Sequence, residues 1–273
     1  MDCPAWRATK ASEQDSTLTT NKTKAKLKNG EGVLGCFMRH ADPGLAEVIG
    51  YMGWDYLLID GEHSPLSVRE CEHLARVSEI TGCTPIVRVP SNMPWLIGQV
   101  FDAGIQGVQV PMINTGAEAL AAARAGKYHP LGTRGLAVTR AAKFGQVMPF
   151  TVADQVQRAN AETMLVAQVE TVAAIDALPE ILEVPEIDVI FIGPNDLSLS
   201  LGLPGQLQHP AVEAAFERII KAVAKSDKAL GILVPDAQKA IEWQERGARY
   251  VMIVMEALLG PATRGFLKSV RGQ

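Results

Sequence analysis

From about residue 32 onward, short apolar runs rich in β-branched residues alternate with longer segments whose apolar residues recur every three or four positions. This alternation is typical of repeated βα units, and it predicts a parallel sheet whose strands are connected by helices. Eight runs are predicted as strands: VLGCFM (33–38), YLLID (56–60), PIVRV (85–89), GVQVP (107–111), MLVAQVE (164–170), DVIFIG (188–193), LGILV (230–234) and YVMIV (250–254). Helices are predicted over residues 43–53, 67–82, 115–127, 171–183, 211–226 and 236–247.

The number of units favours one of two α/β architectures. Eight βα units follow one another with no linker and no change of composition, which favours a closed (β/α)8 TIM barrel. A doubly wound open sheet is the alternative. The main reason to expect that fold is missing, because no G-x-G-x-x-G follows the first strand and no G-x-x-x-x-G-K followed by Ser or Thr occurs in the chain.

Composition divides the chain into two parts. Residues 8–29 are rich in Thr, Ser and Lys and almost lack large apolar side chains, which is the composition of a mobile segment. We therefore predict a flexible N-terminal tail over residues 1–29 and a single barrel domain over residues 30–273. With 47% hydrophobic residues, the chain can bury a sizeable core.

Charge and cysteine content exclude several classes of partner. The 26 Lys and Arg against 30 Asp and Glu give a net charge of −4, so no basic field is available to bind nucleic acid. No apolar stretch reaches the roughly 18 residues that a membrane span needs. The four cysteines are irregularly spaced and form no C-x-x-C pair, so we interpret them as reduced thiols and expect a cytoplasmic enzyme.

Polar and charged residues occur where active sites lie in such barrels, at or just beyond the C-terminal ends of the strands. They come from four different strands: Asp60, Glu62 and His63; Arg88; Gln168 and Glu170; Asn195 and Asp196. Charge beside apolar runs costs free energy unless it is paired or bound to a metal, so this concentration of polar groups predicts a functional site.

Each of these residues also has a purely structural interpretation. Arg88 would equally serve in a salt bridge that closes one end of the barrel. Asp60 could cap the following turn or helix, and Asp196 could begin a short helix. A single histidine such as His63 is more often a hydrogen-bonded polar residue than a base. The functional interpretation rests on the whole set, because carboxylates, an arginine, an amide and a histidine occur at four strand ends together.

The combination of residue types indicates a particular chemistry. Glu170 and Asp196 offer hard oxygen ligands without Cys or His, which suits Mg²⁺ or Mn²⁺ better than zinc. Arg88 facing such an ion could bind the carboxylate of an α-keto acid bidentately. His63, oriented by a neighbouring carboxylate, is the group suited to moving protons near neutral pH. The residues therefore predict metal-assisted enolate chemistry on a keto acid.

Six segments, in order along most of residues 32–202, resemble the HpcH/HpaI family of metal-dependent (class II) pyruvate aldolases. They are YMGWDYLLIDGEHSP (51–65), PIVRVP (85–90), FDAGIQGVQVPMINT (101–115), KYHPLGTRGLA (127–137), AQVETVAAID (167–176) and FIGPNDLSLSLG (191–202). The resemblance implies a (β/α)8 barrel that assembles as a hexamer, a trimer of dimers, with a C-terminal helix exchanged between subunits. It also implies a divalent metal ion, Mg²⁺, Mn²⁺ or Co²⁺, as cofactor.

The resemblance further implies a role for each matching residue. Glu170 and Asp196 would ligate the metal, and Arg88 and Gln168 would hold the pyruvyl carboxylate and neighbouring oxygens. His63 would be the acid and base. The remaining matches are two carboxylates that position this histidine and a segment that lines the keto acid: Asp60, Asp102 across a subunit contact, Gly193, Pro194 and Asn195.

The implied reaction is the reversible retro-aldol cleavage of a 4-hydroxy-2-oxo acid to pyruvate and an aldehyde through a metal-bound pyruvate enolate. Two sister reactions pass through the same enolate: decarboxylation of oxaloacetate, and capture of the enolate by another electrophile. A CoA-ester lyase is less expected, because the chain ends soon after Gly265 and lacks room for a CoA pocket. A non-catalytic barrel is less expected too, since each buried charge is costly without a ligand.

The ends of the first and the last strand depart from the family pattern. The first strand ends CFMRH, which places Met38, Arg39 and His40 near the barrel mouth, where the family has smaller or aromatic residues. Arg39 in that position would suit a charged aldehyde. The last strand continues into Met255 and Glu256 where the family commonly has a Gly-x-Asp turn, so no family role is carried over to them.

Overall fold

A computed structural model describes residues 20–272. All eight predicted strands are present, each pairs in parallel with its neighbours, and the first pairs with the eighth. The predicted (β/α)8 barrel is therefore confirmed, and the open-sheet alternative is wrong. The strands are β1 Val33–Met38, β2 Tyr56–Asp60, β3 Thr84–Arg88, β4 Gly107–Val110, β5 Met164–Val169, β6 Val189–Ile192, β7 Ala229–Val234 and β8 Ala248–Val254.

The helices surround this barrel, and those predicted from the sequence occur with slightly shorter bounds. They are α1 Lys22–Lys28, α2 Pro43–Gly50, α3 Val68–Thr81, α4 Pro94–Asp102, α5 Gly116–Gly126, α6 Val152–Glu162, α7 Val172–Asp176, α8 Leu178–Leu182, α9 Pro194–Ser200, α10 Pro210–Val223, α11 Ala237–Glu245 and α12 Met255–Arg271. The helix predicted over 171–183 is divided in two, because the ring of Pro179 is incompatible with an uninterrupted helix.

Side-chain caps place the beginnings of several helices where the barrel needs them. Ser67 and Glu70 form a capping box at α3, in which each side chain accepts a hydrogen bond from the other residue's backbone N–H. Asp42 and Thr115 accept from backbone N–H groups in the first turns of α2 and α5. Each cap lies just beyond a strand end, so the chain turns back along the outside of the barrel.

Two apolar layers form the core. The larger layer lies between the strands and the helices. The smaller fills the barrel interior, where Tyr56 and Tyr250 stack with ring centroids 4.3 Å apart. The packed interior leaves no channel through the barrel, so a ligand can bind only at an end of it. In this fold the active site lies at the C-terminal ends of the strands.

The N-terminal segment is more ordered than its composition predicts. Asn21 is fully buried and caps α1, while the Lys24 ammonium donates to the Thr163 carbonyl at 2.7 Å and pairs with Asp188 at 2.9 Å. The prediction of a flexible tail is therefore wrong for residues 22–28, which are held by contacts distant in sequence. Residues 1–19 of the predicted tail lie outside the described residues.

Helix α12 follows β8 directly, and most of its length faces solvent in a single chain. Phe266 and Val270 are each 69% exposed. Exchange of this helix between subunits stays a prediction. Within residues 20–272, no helix is long and apolar enough to cross a membrane. Cys36, Cys71 and Cys83 are buried free thiols, as expected, and Cys3 lies outside the described residues.

Candidate active site

The polar groups predicted from the strand ends lie together because they continue the inward-facing positions of their strands. Asp60, Arg88 and Gln168 each lie two residues after an apolar side chain of the barrel interior, and side chains two residues apart share one face of a strand. The strand register then sets them side by side, since Asp60 lies opposite Arg88 and Arg88 lies opposite Gln109. The C-terminal mouth of the barrel is thus lined by polar groups.

Arg88 is the cationic centre of this mouth. Its Nε donates to Asp60 Oδ1 at 3.0 Å, and its Nη2 and Nη1 lie 2.9 Å from Asp60 Oδ2 and 3.0 Å from Glu62 Oε2. The guanidinium carbon lies 5.1 Å from the centre of the Phe37 ring, which supports it from within the barrel. The salt bridge considered for Arg88 therefore exists. Each Nη atom carries two N–H groups and lies beside one of these carboxylate oxygens, so each keeps a further N–H for a ligand.

Asp60 also has the capping role considered for it. Its Oδ1 accepts from the backbone N–H groups of Glu62 at 3.0 Å and His63 at 3.2 Å. The carboxylate within 4 Å of the His63 ring is that of Glu62, whose Oε2 lies 3.9 Å from Nε2. Asp60 therefore orients the backbone that carries the histidine, while Glu62 faces its ring.

Burial raises the pKa of the Glu62 carboxyl, and the charge of Arg88 opposes that effect. His63 itself is exposed, at 64% of its side chain. An exposed imidazole beside a carboxylate is placed to exchange protons with a substrate at the barrel mouth.

Glu170 is a buried carboxylate of the mouth, at 2% exposure. Its Oε1 accepts from the backbone N–H of Met112 at 2.8 Å, and its Oε2 accepts from the Gln168 amide. Burial raises the pKa of Glu170 to about 7, although these two hydrogen bonds lower it, and nearby Asp196 and Glu62 add to the increase. A cation beside Glu170 would relieve this cost.

Two backbone features hold the Glu170 carboxylate in place. Met112 has φ 55°, a left-handed conformation that is uncommon for a residue with a side chain, and there its N–H reaches Glu170. Gly193, which precedes α9, leaves the space that the carboxylate fills: a Cβ on Gly193 would lie 2.3 Å from Glu170 Oε2. Sequence reasoning missed Met112, since nothing in its residue type signals this conformation.

Asp196 lies in the first turn of α9, so the short helix considered for it exists, and its side chain is on the exposed face near Glu170. Gly193 and Pro194 are buried beside the same carboxylate, and Asn195 is exposed. The structure therefore brings this predicted segment to the mouth.

The donor set fits a hard divalent cation. Within residues 20–272, no three Asp, Glu, His or Cys side chains converge closely enough to hold a metal ion by themselves. Mg²⁺ and Mn²⁺ do not need such a set, because one or two carboxylates, water and substrate oxygens complete their coordination. Asp60 Oδ2 and Glu62 Oε2 lie 2.9 and 3.0 Å from the Arg88 guanidinium, so these two oxygens already have a cationic partner, whereas Glu170 and Asp196 have none within ion-pair distance among residues 20–272. Glu170 and Asp196 therefore suit a metal of this kind.

Asp102 lies away from this mouth within one chain. Helix α4 begins beyond the C-terminal end of β3 and returns to the other end of the barrel, where its last residue, Asp102, pairs with Arg134 at 2.6 Å. A contribution of Asp102 to the site therefore needs a second subunit, as the resemblance implies.

The residues that depart from the family pattern lie at the rim. Arg39 follows β1, and its guanidinium carbon is 5.9 Å from the Phe37 ring, the ring that also supports Arg88. His40 Nε2 lies 3.8 Å from an oxygen of Glu256 at the start of α12. Among residues 20–272, no carboxylate lies within ion-pair distance of Arg39.

Sequence comparisons agree with the site and the fold. The family model for HpcH/HpaI aldolase/citrate lyase matches residues 33–258. A hydroxypyruvate/pyruvate aldolase of Roseobacter denitrificans is 40% identical over 86% of this chain and 91% of its own length. A 4-hydroxy-2-oxo-heptane-1,7-dioate aldolase of Escherichia coli is 37% identical over 88% of this chain and 90% of its own length.

A structural comparison extends the likeness to the backbone. The crystal structure of a HpcH/HpaI aldolase/citrate lyase family protein from Burkholderia cenocepacia has a TM-score of 0.86 and 34% sequence identity to this chain. The match covers 92% of this chain and all of the other. The similarity therefore extends over the whole barrel, not only over the motifs at its mouth.

Proposed function

The chain belongs to the HpcH/HpaI aldolase/citrate lyase family, and on that premise we propose that it is a pyruvate aldolase. It is a carbon–carbon lyase that cleaves a 4-hydroxy-2-oxo acid to pyruvate and an aldehyde, and the reaction is reversible. The observation that carries the proposal is the juxtaposition of the Arg88 guanidinium and the carboxylates of Glu170 and Asp196 at one barrel mouth. The first recognises a keto-acid carboxylate, and the second suits a divalent ion.

Arg88 binds the carboxylate of the keto acid. Its paired carboxylates, Asp60 and Glu62, hold the guanidinium plane fixed, so less side-chain entropy is lost when the substrate binds. Gln168 adds an amide beside the same pocket. These contacts place C2 and C3 of the keto acid toward Glu170 and Asp196.

Glu170 and Asp196 hold the metal ion, which we propose to be Mg²⁺, Mn²⁺ or Co²⁺. When bound, the ion is a Lewis acid that stabilises negative charge developing on the keto oxygen. The pocket left by Gly193 and the N–H of Met112 keep the Glu170 carboxylate oriented before the ion arrives.

His63 moves the proton. In the cleavage direction it removes the C4 hydroxyl proton, directly or through a water, and the electron pair of that O–H bond forms the aldehyde carbonyl. The C3–C4 bond breaks, its electron pair passes to C3 and the keto group as the pyruvate enolate, and C3 is then protonated. Glu62 stabilises the imidazolium form that His63 takes during the transfer.

The aldehyde that we propose for this site carries a negative charge. Arg39 reaches over the Phe37 ring at the rim, and no carboxylate of residues 20–272 pairs with it. An anionic group at the distal end of the substrate would supply that partner while Arg88 holds the other end. The E. coli relative named for a 1,7-dioate is an enzyme of that type.

We also propose that the enzyme works as a hexamer in which α12 is exchanged. The exposed apolar residues of α12, which include Phe266 and Val270, are unlike an isolated surface helix and suit a subunit contact. Assembly would also offer a route for Asp102 of one subunit to reach the mouth of another.

The test is pyruvate release, coupled to lactate dehydrogenase, from a panel of 4-hydroxy-2-oxo acids and from oxaloacetate. The protein is stripped with EDTA and assayed before and after Mg²⁺, Mn²⁺ or Co²⁺ is restored. The expected result is metal-dependent release from the hydroxy-oxo acids that is lost in Glu170→Ala. Turnover of oxaloacetate alone would replace the proposal with a decarboxylase, and release that survives in metal-free Glu170→Ala would contradict the role of the metal.

A further inference from the structure

A second amide lies behind Gln168 inside the barrel. Gln109 of β4 is 1% exposed, and its Nε2 donates to Gln168 Oε1. Gln168 Nε2 in turn donates to Glu170 Oε2. The three side chains thus form one hydrogen-bonded chain that runs from the interior of β4 to the carboxylate of the barrel mouth.

Hydrogen bonds are donated in one direction along this series of three side chains, and the Glu170 carboxylate determines that direction. An ionised carboxylate only accepts hydrogen bonds, so Gln168 must present its NH2 group to Glu170 and its oxygen to the other side. In that orientation Gln168 Oε1 needs a donor, and Gln109 provides it. If the donor were removed, Glu170 would still select this orientation, but the oxygen end of the Gln168 amide would lose the contact that holds it in place.

The oxygen of the Gln109 amide does not orient another side chain. Gln109 Oε1 is buried and accepts no hydrogen bond from the described residues. The register places Gln109 opposite Arg88 of β3, and its side chain bonds to Gln168 of β5, so it lies between the two residues that would hold the keto-acid carboxylate. The interaction that Gln109 makes toward the site is therefore its donation to Gln168.

We propose that Gln109 is a positioning residue that fixes the Gln168 amide and, through it, the orientation of the Glu170 carboxylate for metal and keto acid. This inference rests on the proposed function. Gln109 touches neither reactant, and its effect reaches the site through two hydrogen bonds. Outer partners of metal ligands typically change metal affinity or activity by about 10- to 100-fold when they are removed.

The experiment measures Mn²⁺ affinity of the full chain by electron paramagnetic resonance, without substrate, for the wild type and Gln109→Met. Methionine keeps the length of the side chain and removes the donor. The expected result is a Kd about 10-fold higher. The midpoint of thermal unfolding should change little, because the substitution removes one unpaired oxygen, at Gln109, and creates another, at Gln168. Gln109→Leu is a second variant with the same expectation.

Gln155 provides the matched control. It is a buried glutamine on α6 with the same pattern, an amide that donates to the Ala137 carbonyl at 2.9 Å and an Oε1 without a partner among residues 20–272. Gln155→Met should leave the Mn²⁺ affinity within twofold of the wild type. A fall in activity with a lower kcat and a raised KM for the keto acid is expected for Gln109→Met alone.

The outcomes separate the two claims. Mn²⁺ affinity of the Gln109 variants within twofold of the wild type would overturn the positioning role while the aldolase assignment stands. A lower unfolding midpoint with unchanged Mn²⁺ affinity would assign Gln109 to packing and overturn it too. A wild-type protein that binds no Mn²⁺ and releases pyruvate without metal would overturn the proposed function, and the positioning role with it.

Discussion

Gly193→Ala is the substitution for which the structure predicts the most specific damage. The backbone of Gly193 has φ −87° and ψ 91°, which alanine adopts without strain. The added Cβ would lie 2.3 Å from Glu170 Oε2 and 2.8 Å from Glu170 Cβ. Since non-bonded contacts need roughly 3.4 Å or more, the carboxylate must move by about 1 Å. The expected effect is therefore centred on the metal site.

The magnitude follows from that displacement. A shift of about 1 Å in a reacting geometry costs about 100-fold, and disturbing the support of a metal ligand costs about 10- to 100-fold in affinity. A Kd for Mn²⁺ raised by 10- to 100-fold corresponds to about 1.4–2.7 kcal/mol. The hydrogen bonds that Glu170 accepts from Met112 and Gln168 would lengthen as the carboxylate moves. The free energy of unfolding should fall as well, by about 1–3 kcal/mol, because the added Cβ overpacks a buried site.

The assay is Mn²⁺ titration of Gly193→Ala, with Gly98→Ala as the control. A Cβ on Gly98, in the middle of α4, meets nothing within 4 Å, so this second substitution should leave Mn²⁺ affinity unchanged and stabilise the helix by about 0.5–1 kcal/mol. Equal Mn²⁺ affinity in Gly193→Ala and the wild type would refute the conclusion that Gly193 makes room for a ligand carboxylate.

Three further predictions concern other parts of the molecule. Burial lowers the pKa of the Lys127 ammonium to about 7, so between that pH and about 10.4 the unfolded chain binds one more proton than the folded chain. The free energy of unfolding should therefore rise with pH in this range, by at most about 1.4 kcal/mol per pH unit. Urea unfolding at pH 7.0–8.5 should show this slope in the wild type and not in Lys127→Met, and equal slopes would contradict the prediction. His63→Ala should lower kcat by about 100- to 10,000-fold with unchanged Mn²⁺ affinity, whereas weaker Mn²⁺ binding would make His63 a ligand. Arg39→Ala should lower kcat/KM in the aldol direction by about 10-fold for an aldehyde with a terminal carboxylate, relative to a neutral one; an unchanged ratio would remove Arg39 from substrate choice.

The strands were predictable because each is an unbroken apolar run bounded by turn residues, and all eight runs appear in the barrel within two residues of the expected bounds. Helix α4 was not predicted. It begins after Met93 with no side-chain cap, so the polar signal that begins other helices is absent. The Lys- and Thr-rich composition of α1 predicts a tail, because it does not reveal the distant contacts of Asn21 and Lys24 that hold the helix.

The site was predictable where one residue type at one strand end determines the chemistry, as for Arg88 and Glu170. It was not predictable where the geometry depends on how neighbouring strands pair. Gln109 looks like a single polar residue within an apolar strand, and only its hydrogen bond to Gln168 on the neighbouring strand gives it a role. A polar side chain at an inward-facing position of a predicted barrel strand is the signal that could have found it.

The central claim is that this barrel forms the enolate of pyruvate at a divalent metal held by Glu170 and Asp196. It is tested without knowing the aldehyde by incubating pyruvate with the protein in D2O and following deuterium incorporation into its methyl group by mass spectrometry. We expect exchange that requires Mg²⁺ or Co²⁺, stops with EDTA and is lost in Glu170→Ala. Exchange that continues in EDTA and in that variant would contradict the metal mechanism, and no exchange with any metal would contradict the enolate itself.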